Sequence, residues 1–296
     1  MVKQSDTTII IPHIFLSKET SYALEECLKS LDETVPEMKK IVAINGTKFE
    51  DDFQTVKYPN VEFLVMERQG QCVATNAAVA MTNTPWVFIT NNDMIYAPGW
   101  WEKLKEYVEH SSSRIHNNEE NTFWAGPFIR CISPKLVEPR QGAPTFIEYF
   151  CGGAGGDFDK QKYLEFVNSY GEKGVKTGFN LPFLISRELW DAIGGYDINY
   201  DPWGSNSDSD LEYKIKLAGV QPFQSQESLV YHFSQTSGTF EPRNDEYRFK
   251  NYEYFKEKWG FDRTDDGIWE ATFNIPTKEE GRIFNPPWEN KYGRLS

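Results

Sequence analysis

Three groups of side chains, distant along the chain, are of types that can do chemistry together. The first is Asn91-Asn92-Asp93, directly after the apolar run Trp86 to Thr90. Ligands of an open α/β sheet bind beyond the carboxyl ends of its strands. A carboxylate placed there can hold a hard cation such as Mg²⁺ or Mn²⁺ against a diphosphate. A polar turn, with Asn and Asp satisfying their own backbone, is the competing reading. The second group is Trp203-Gly204-Ser205-Asn206-Ser207-Asp208-Ser209-Asp210-Leu211. Read locally, Ser207 caps a helix while Asp208 and Asp210 complement its dipole. Read chemically, Asp208 is a general base for an attacking hydroxyl, and Trp203-Gly204 offers an aromatic platform to a sugar ring. The third is His232, in Val230-Tyr231-His232-Phe233. Alone it reads as a hydrogen-bonded structural histidine; carried by the fold to Asp93, it becomes a metal ligand.

Elements that can hold these groups alternate along the first hundred residues. Thr7 to Ile11 is a β-branched run that Pro12 is expected to stop. Leu24, Cys27, Leu28 and Leu31 share one face of a helix, with Ser17 as its N-cap. Lys40 to Ile44 reads as a second strand ending at Asn45-Gly46, and Val61 to Met66 as a third. Val73 to Ala80, after Gly70, reads as a helix of small residues. Trp86 to Thr90 is apolar throughout and therefore a central strand. This order predicts βαβ units and a mostly parallel sheet covered on both faces. Farther on, Phe123 to Ile129 reads as a strand, and residues 152–156 as an exposed, flexible glycine loop. A helix is expected over 208–218, with Gly219 at its C′ position. After residue 240 aromatics and charges mix without a motif, and a C-terminal helix packed on the catalytic part is expected.

Composition removes several classes. The 296 residues carry 31 Lys and Arg against 44 Asp and Glu, a net charge of −13, so a role on nucleic acid would need a local basic patch, and none is visible. The 21 Phe, 15 Tyr and 9 Trp are too much apolar material to leave solvated, which excludes overall disorder. Apolar runs are broken within a few residues, so no membrane span is expected. The opening Met1 to Asp6 lacks an apolar signal stretch, and Cys27, Cys72, Cys131 and Cys151 form no Cys-x-x-Cys pair. A cytoplasmic protein with reduced thiols is the expectation.

Taken in order, these features resemble the GT-A type, family two-like glycosyltransferases that use nucleotide-sugars. The resemblance rests on Ile9-Ile10-Ile11-Pro12, on Gly70 with Ala74-Thr75-Asn76, on Asn91-Asn92-Asp93, and on Ile193-Gly194-Gly195-Tyr196-Asp197 followed by Asp208-Ser209-Asp210-Leu211, Gly219 and His232. It covers about residues 6 to 237. The Trp203-Gly204 prelude is similar to galactosyl- and N-acetylgalactosaminyl-transferring relatives. What the resemblance implies is a GT-A (Rossmann-like) domain over 1–240, with a nucleotide half at 1–100 and an acceptor half at 101–240, plus an aromatic-rich extension at 241–296. It implies Pro12, His13, Asn45, Asn76, Asn91, Asn92 and Asp93 around the nucleotide-sugar. Trp203, Gly204 and Asp210 are expected on the sugar and acceptor side, Asp208 as the base, and Asp93 with His232 as ligands of Mn²⁺ or Mg²⁺. Ile44, Thr75, Asn91 and Ser207 stand where the family often has Asp, Arg, an acid and Glu.

The implied activity is metal-dependent, inverting transfer from a UDP-sugar to a hydroxyl of a glycan or glycoconjugate. Two alternatives remain at this stage: a viral-type transferase acting on DNA bases, against which the charge argues, and an inactive carbohydrate-binding protein on the same fold.

Overall fold

The computed structural model describes residues 2–46, 58, 60–112, 125–133, 146–177, 181–217, 220, 222–234, 236–237 and 241–260. Among the described residues ten strands form one sheet: β1 (Thr7–His13), β2 (Lys39–Asn45), β3 (Val61–Met66), β4 (Trp86–Ile89), β5 (Met94–Tyr96), β6 (Ala125–Ser133), β7 (Phe146–Glu148), β8 (Val175–Thr177), β9 (Phe183–Ser186) and β10 (Phe223–His232). Their order is β3-β2-β1-β4-β9-β6-β10-β5, with β7 beside β6 and β8 beside β10. The β3-β2-β1-β4 half is parallel throughout. Beyond it β9 runs antiparallel to both β4 and β6, and β5 and β8 run antiparallel to β10, whereas β6, β7 and β10 are mutually parallel where they pair. The sheet is therefore mixed, with its ordered parallel part where the helix–strand alternation of the sequence is cleanest.

Among the described residues seven α-helices accompany the sheet: α1 (Lys18–Thr34), α2 (Gln71–Ala80), α3 (Trp100–Ser112), α4 (Lys160–Ser169), α5 (Arg187–Ile193), α6 (Ser207–Leu217) and α7 (Asp245–Trp259). Every residue of β1 is buried, which requires cover on both faces and explains its uninterrupted apolar run. Leu24, Cys27, Leu28 and Leu31 of α1 are fully buried together. The Ser17 side chain accepts from Thr20 N, and the Thr20 hydroxyl returns a bond to the Ser17 backbone, closing a capping box. β4 is central, between β1 and β9, as its composition predicts. Pro12 does not stop β1: it sits in register with Ala43, and the strand continues to His13. A parallel ladder bonds only alternate residues of a strand to a given neighbour, so one missing N–H is tolerated.

Two other expectations are corrected. α6 begins at Ser207, but the Ser207 hydroxyl donates to Gly204 O (2.6 Å) rather than accepting from the helix, and Asn206, in the left-handed region at φ 70°, precedes the first turn. Ala218 and Gly219 lie outside the described residues. The 152–156 loop is pinned rather than free. Tyr231 Oη donates to Gly152 O (2.6 Å) and accepts from Cys151 N (2.9 Å), and Asp157 accepts from Gly153 N (2.9 Å). A Cβ on Gly152 would lie 2.1 Å from Asp157 O, so only glycine fits this turn. Finally, Tyr254 and Phe255 of α7 enter the main hydrophobic core alongside β1 and β4. Among the described residues no helix is long and apolar enough to cross a membrane.

Candidate active site

The parallel half of the sheet delivers the ends of β1, β2 and β4 to one edge. Thr90 N donates to Ile10 O (3.1 Å), so the chain leaving β4 toward Asn91-Asn92-Asp93 emerges beside the end of β1 and His13. His13 is buried, its Nδ1 lies 2.7 Å from Asn92 Nδ2, and its ring meets Phe15 edge-on at 4.3 Å. With the amide nitrogen as donor, Nδ1 carries the lone pair and Nε2 the proton, so the imidazole is neutral. Burial pushes its pKa down to about 3. An unfolded histidine takes a proton near pH 6.5. The folded state therefore loses stability as pH falls from about 6.5 toward 3, by about 1.4 kcal/mol per pH unit. We expect His13→Gln to show a flatter melting temperature between pH 6.5 and 4 than the wild type; parallel curves would refute this.

Asp93 and His232 are brought together by strand pairing. β5 runs antiparallel to the end of β10, with Met94 opposite His232, and Phe233 N donates to Asp93 O (3.0 Å). Asp93 is 5% exposed. Its Oδ1 stands 3.1 Å from His232 Nε2 without forming an aligned hydrogen bond, and its Oδ2 accepts from Thr236 Oγ1 (2.9 Å). Burial works to raise the Asp93 pKa, but the electrostatic pull of the adjacent His232, with the hydrogen bond from Thr236, holds it below the usual carboxylate range. His232 Nδ1 is buried with no hydrogen-bond partner. One carboxylate and one imidazole, side by side, suit a divalent cation. Their separation matches the distance between two adjacent ligands of an octahedral ion with bonds of about 2.1 Å. No group of three His, Cys, Asp or Glu side chains able to hold a metal occurs among the described residues. Any such ion would thus complete its shell with ligand phosphates and water, a habit of Mg²⁺-like ions.

The second part of the site is built by the turn after α5. Gly194 and Gly195 both have positive φ, and a Cβ on Gly195 would lie 2.7 Å from Asn76 Oδ1. Their turn presents Tyr196, whose hydroxyl donates to Asp208 Oδ1 (2.9 Å) at the start of α6. Burial and then the Asp208 charge raise the Tyr196 pKa well above its ordinary value, so this phenol remains a donor. Trp203 is half-buried beneath Arg68, whose guanidinium lies 5.4 Å from the ring centroid, and 6.5 Å from the Tyr247 ring of α7. Gly204 follows at φ 67°.

Several residues expected around the ligand make contacts that hold up the architecture. Asn45 Oδ1 accepts from Gln69 N (2.8 Å) and Gly70 N (3.2 Å), clamping the entry to α2. Asn76 donates to Tyr196 O (2.8 Å) and accepts from Tyr196 N (2.9 Å), so its amide braces the Gly-Gly-Tyr turn. Asp210, expected near sugar or acceptor, is fully buried. It accepts from Trp259 Nε1 (2.9 Å) and Tyr200 Oη (3.3 Å) and pairs with Lys258 (2.7 Å) and Lys214 (3.5 Å). Two residues along a helix turn the side chain by about 200°, so Asp208 and Asp210 cannot share a surface. Pro12 is likewise buried within β1. Asn91 is half-buried at the exit of β4, and its carbonyl accepts from Thr90 Oγ1 (3.1 Å).

Reasoning from sequence passed over Thr236, Tyr196 and Asp201. Asp201 accepts from Cys72 N (2.9 Å) and Val73 N (2.8 Å), placing a carboxylate at the N-terminus of α2. A Cβ on Gly70 would lie 2.0 Å from its Cγ, which is why glycine stands there. Tyr196 carried a signal, an aromatic at fixed spacing before the acidic pair; Thr236 carried none.

Residues 16–155 match the family model described as Glycosyl transferase family 2. Among curated proteins, N-acetylgalactosaminyltransferase 6 of Drosophila melanogaster is 33% identical over 79 residues, 26% of this chain and 12% of that protein. A galactofuranosyl glycosyltransferase of Leishmania donovani is 24% identical over 218 residues, 69% of this chain and 48% of the relative. The chain thus spans less than half the length of either. Solved structures share its fold, among them the following three. GalNAc-T7 with UDP, GalNAc and Mn²⁺ has a TM-score of 0.50 at 12% identity, covering 76% of this chain and 42% of that one. The mannosyltransferase PcManGT from Pyrobaculum calidifontis, with GDP-Man and Mn²⁺, has 0.51 at 14% identity, covering 85% and 64%. A third, S. aureus TarS 1–349, has 0.51 at 11% identity, covering 88% and 74%.

Proposed function

We infer that this chain, which matches the Glycosyl transferase family 2 model over residues 16–155 and shares the fold of solved glycosyltransferases, catalyses a metal-dependent, inverting transfer of a sugar from a UDP-sugar to a hydroxyl of a glycan or glycoconjugate. The observation that carries this reading is the pairing of buried Asp93 with half-buried His232 at the carboxyl edge of the sheet, Oδ1 and Nε2 lying 3.1 Å apart. The UDP assignment draws support from the Trp203-Gly204 segment and from GalNAc-T7, a fold neighbour solved with UDP and Mn²⁺. A divalent ion held there supplies positive charge to a departing diphosphate.

The remaining chemistry belongs to the chain's own groups. Asp93 and His232 would hold that ion beside the diphosphate of the donor, and Thr236 keeps the Asp93 carboxylate oriented. Asp208 takes the proton from the acceptor hydroxyl as that oxygen attacks the anomeric carbon and the sugar–phosphate bond breaks. Tyr196 donates to one oxygen of Asp208, which steers the other toward the acceptor. Trp203 supports the sugar face. Direct displacement by a hydroxyl on the side opposite the leaving group inverts the configuration.

A thermal-shift comparison of UDP and GDP, each with and without Mn²⁺, tests donor and metal together. UDP with Mn²⁺ at about 100 times its Kd should stabilise the chain by about 2.7 kcal/mol, a rise of about 5 °C or more. UDP or Mn²⁺ alone should do much less. A larger shift with GDP, or none that depends on Mn²⁺, would overturn the assignment. Nucleotide stabilisation without turnover of any UDP-sugar would instead identify a binder.

A further inference from the structure

We propose that Lys258, on the C-terminal helix α7, is a positioning residue for Asp208; the inference rests on the reading of Asp208 as the base. Asp208 stands at the end of a loop that begins at Tyr196 and carries Trp203 and Gly204, and α7 grips that loop at both ends. Lys258 Nζ lies 2.7 Å from Asp197 Oδ2 and 2.7 Å from Asp210 Oδ1. Both carboxylates are fully buried, and the Lys258 side chain is 9% exposed. Tyr254 Oη donates to Asp197 Oδ2 (2.8 Å), and Trp259 Nε1 to Asp210 Oδ1 (2.9 Å). In between, Asn251 Nδ2 donates to Tyr200 O (2.6 Å) and Ser205 Oγ (3.1 Å).

The charges balance only with α7 in place. Asp197 and Asp210 contribute two negative charges; Lys258 and Lys214 answer them, the latter 3.5 Å from Asp210 Oδ2 and bonded to Gly195 O. Removing the Lys258 ammonium leaves a buried carboxylate uncompensated, a strongly unfavourable state that the loop relieves by moving. Asp210 is the inward peg that sets the rotation of α6 about its axis. With that peg held by Lys258 and Trp259, Asp208 points the other way, onto the Tyr196 hydroxyl. If the peg is released, α6 turns and Asp208 leaves that bond. A displacement of about 1 Å in a reacting group costs about 100-fold in rate.

The test uses the full chain with Mn²⁺ and hydrolysis of UDP-N-acetylgalactosamine, UDP-galactose or UDP-glucose as the reaction. Lys258→Met should lower kcat about 100-fold while KM for the donor and the UDP–Mn²⁺ thermal shift stay within about threefold. Lys258→Arg, which keeps the charge, should recover most of the rate. In an Asp208→Asn background, Lys258→Met should cost nothing more, because it acts through the residue already lost. Amide exchange should quicken at residues 203–210 and stay unchanged in β1 and β2, a readout that needs no donor. If the two losses multiply, or exchange at 203–210 is unaltered, Lys258 has no positioning role while the base reading stands. Full activity in Asp208→Asn removes the base reading and this inference with it. Should Lys258→Met fail to fold, the charge-balanced pair Lys258→Met and Asp210→Asn is subject to the same readouts.

Discussion

On the proposed reading, Asp208→Asn should lower transfer by about 10²–10⁴-fold and leave UDP–Mn²⁺ stabilisation as it was. The replacement is close to isosteric, and the amide oxygen still accepts from Tyr196 Oη, so the contact now at 2.9 Å survives. The amide cannot take a proton from an acceptor hydroxyl. The loss therefore falls on the chemical step: kcat and kcat/KM drop together while donor KM holds. Neighbouring Asp210 cannot take over, because it is buried against Lys258, Lys214 and Trp259. Steady-state transfer or hydrolysis with a UDP-sugar and Mn²⁺ measures the effect. Retention of more than a tenth of the rate would assign the base elsewhere.

Asp93→Ala should abolish the proposed Mn²⁺ dependence of donor binding and weaken UDP affinity in the presence of Mn²⁺ by about 100-fold, or about 2.7 kcal/mol. Asp93 is the one carboxylate that the structure brings to His232, and no third acidic or histidine side chain is gathered there among the described residues. The alanine variant therefore leaves one imidazole, too little for a hard cation that prefers oxygen. Titration calorimetry of UDP with and without Mn²⁺ reads this directly. The wild type should show a large Mn²⁺-dependent gain, and Asp93→Ala the same weak binding in both buffers. A variant that keeps the gain would place the ion somewhere other than at Asp93 and His232.

These two variants separate the halves of the site, and the halves were unequally legible in the chain. Local physics announced the elements. A run such as Ile9-Ile10-Ile11 has to be covered on both sides; Leu24, Cys27, Leu28 and Leu31 have to face one way on a helix; Ser17 has to begin it. Each of these depends on residues within a turn or two of one another, and each appears in the structure. The same short-range logic placed Asp93 after a central strand and Asp208 in the first turn of a helix.

Partnership is a different matter, because hydrogen bonds and ion pairs go to whatever the fold places within reach. Asn45, Asn76 and Asp210 have the composition of ligand-binding residues, yet their polar atoms serve the Gln69-Gly70 turn, the Tyr196 backbone and α7. Asp208, expected as the base, and Asp210, expected on the acceptor side, are parted by helical rotation and by a Lys–Trp dipeptide far down the chain, which holds Asp210 in the core. Residue types and local periodicity thus determined the strands and helices of the first ninety residues and nominated the candidate reactive groups. Only the antiparallel registry of β5 on β10 decided that Asp93 meets His232, because registry depends on the packing of the whole sheet and no window of sequence contains it.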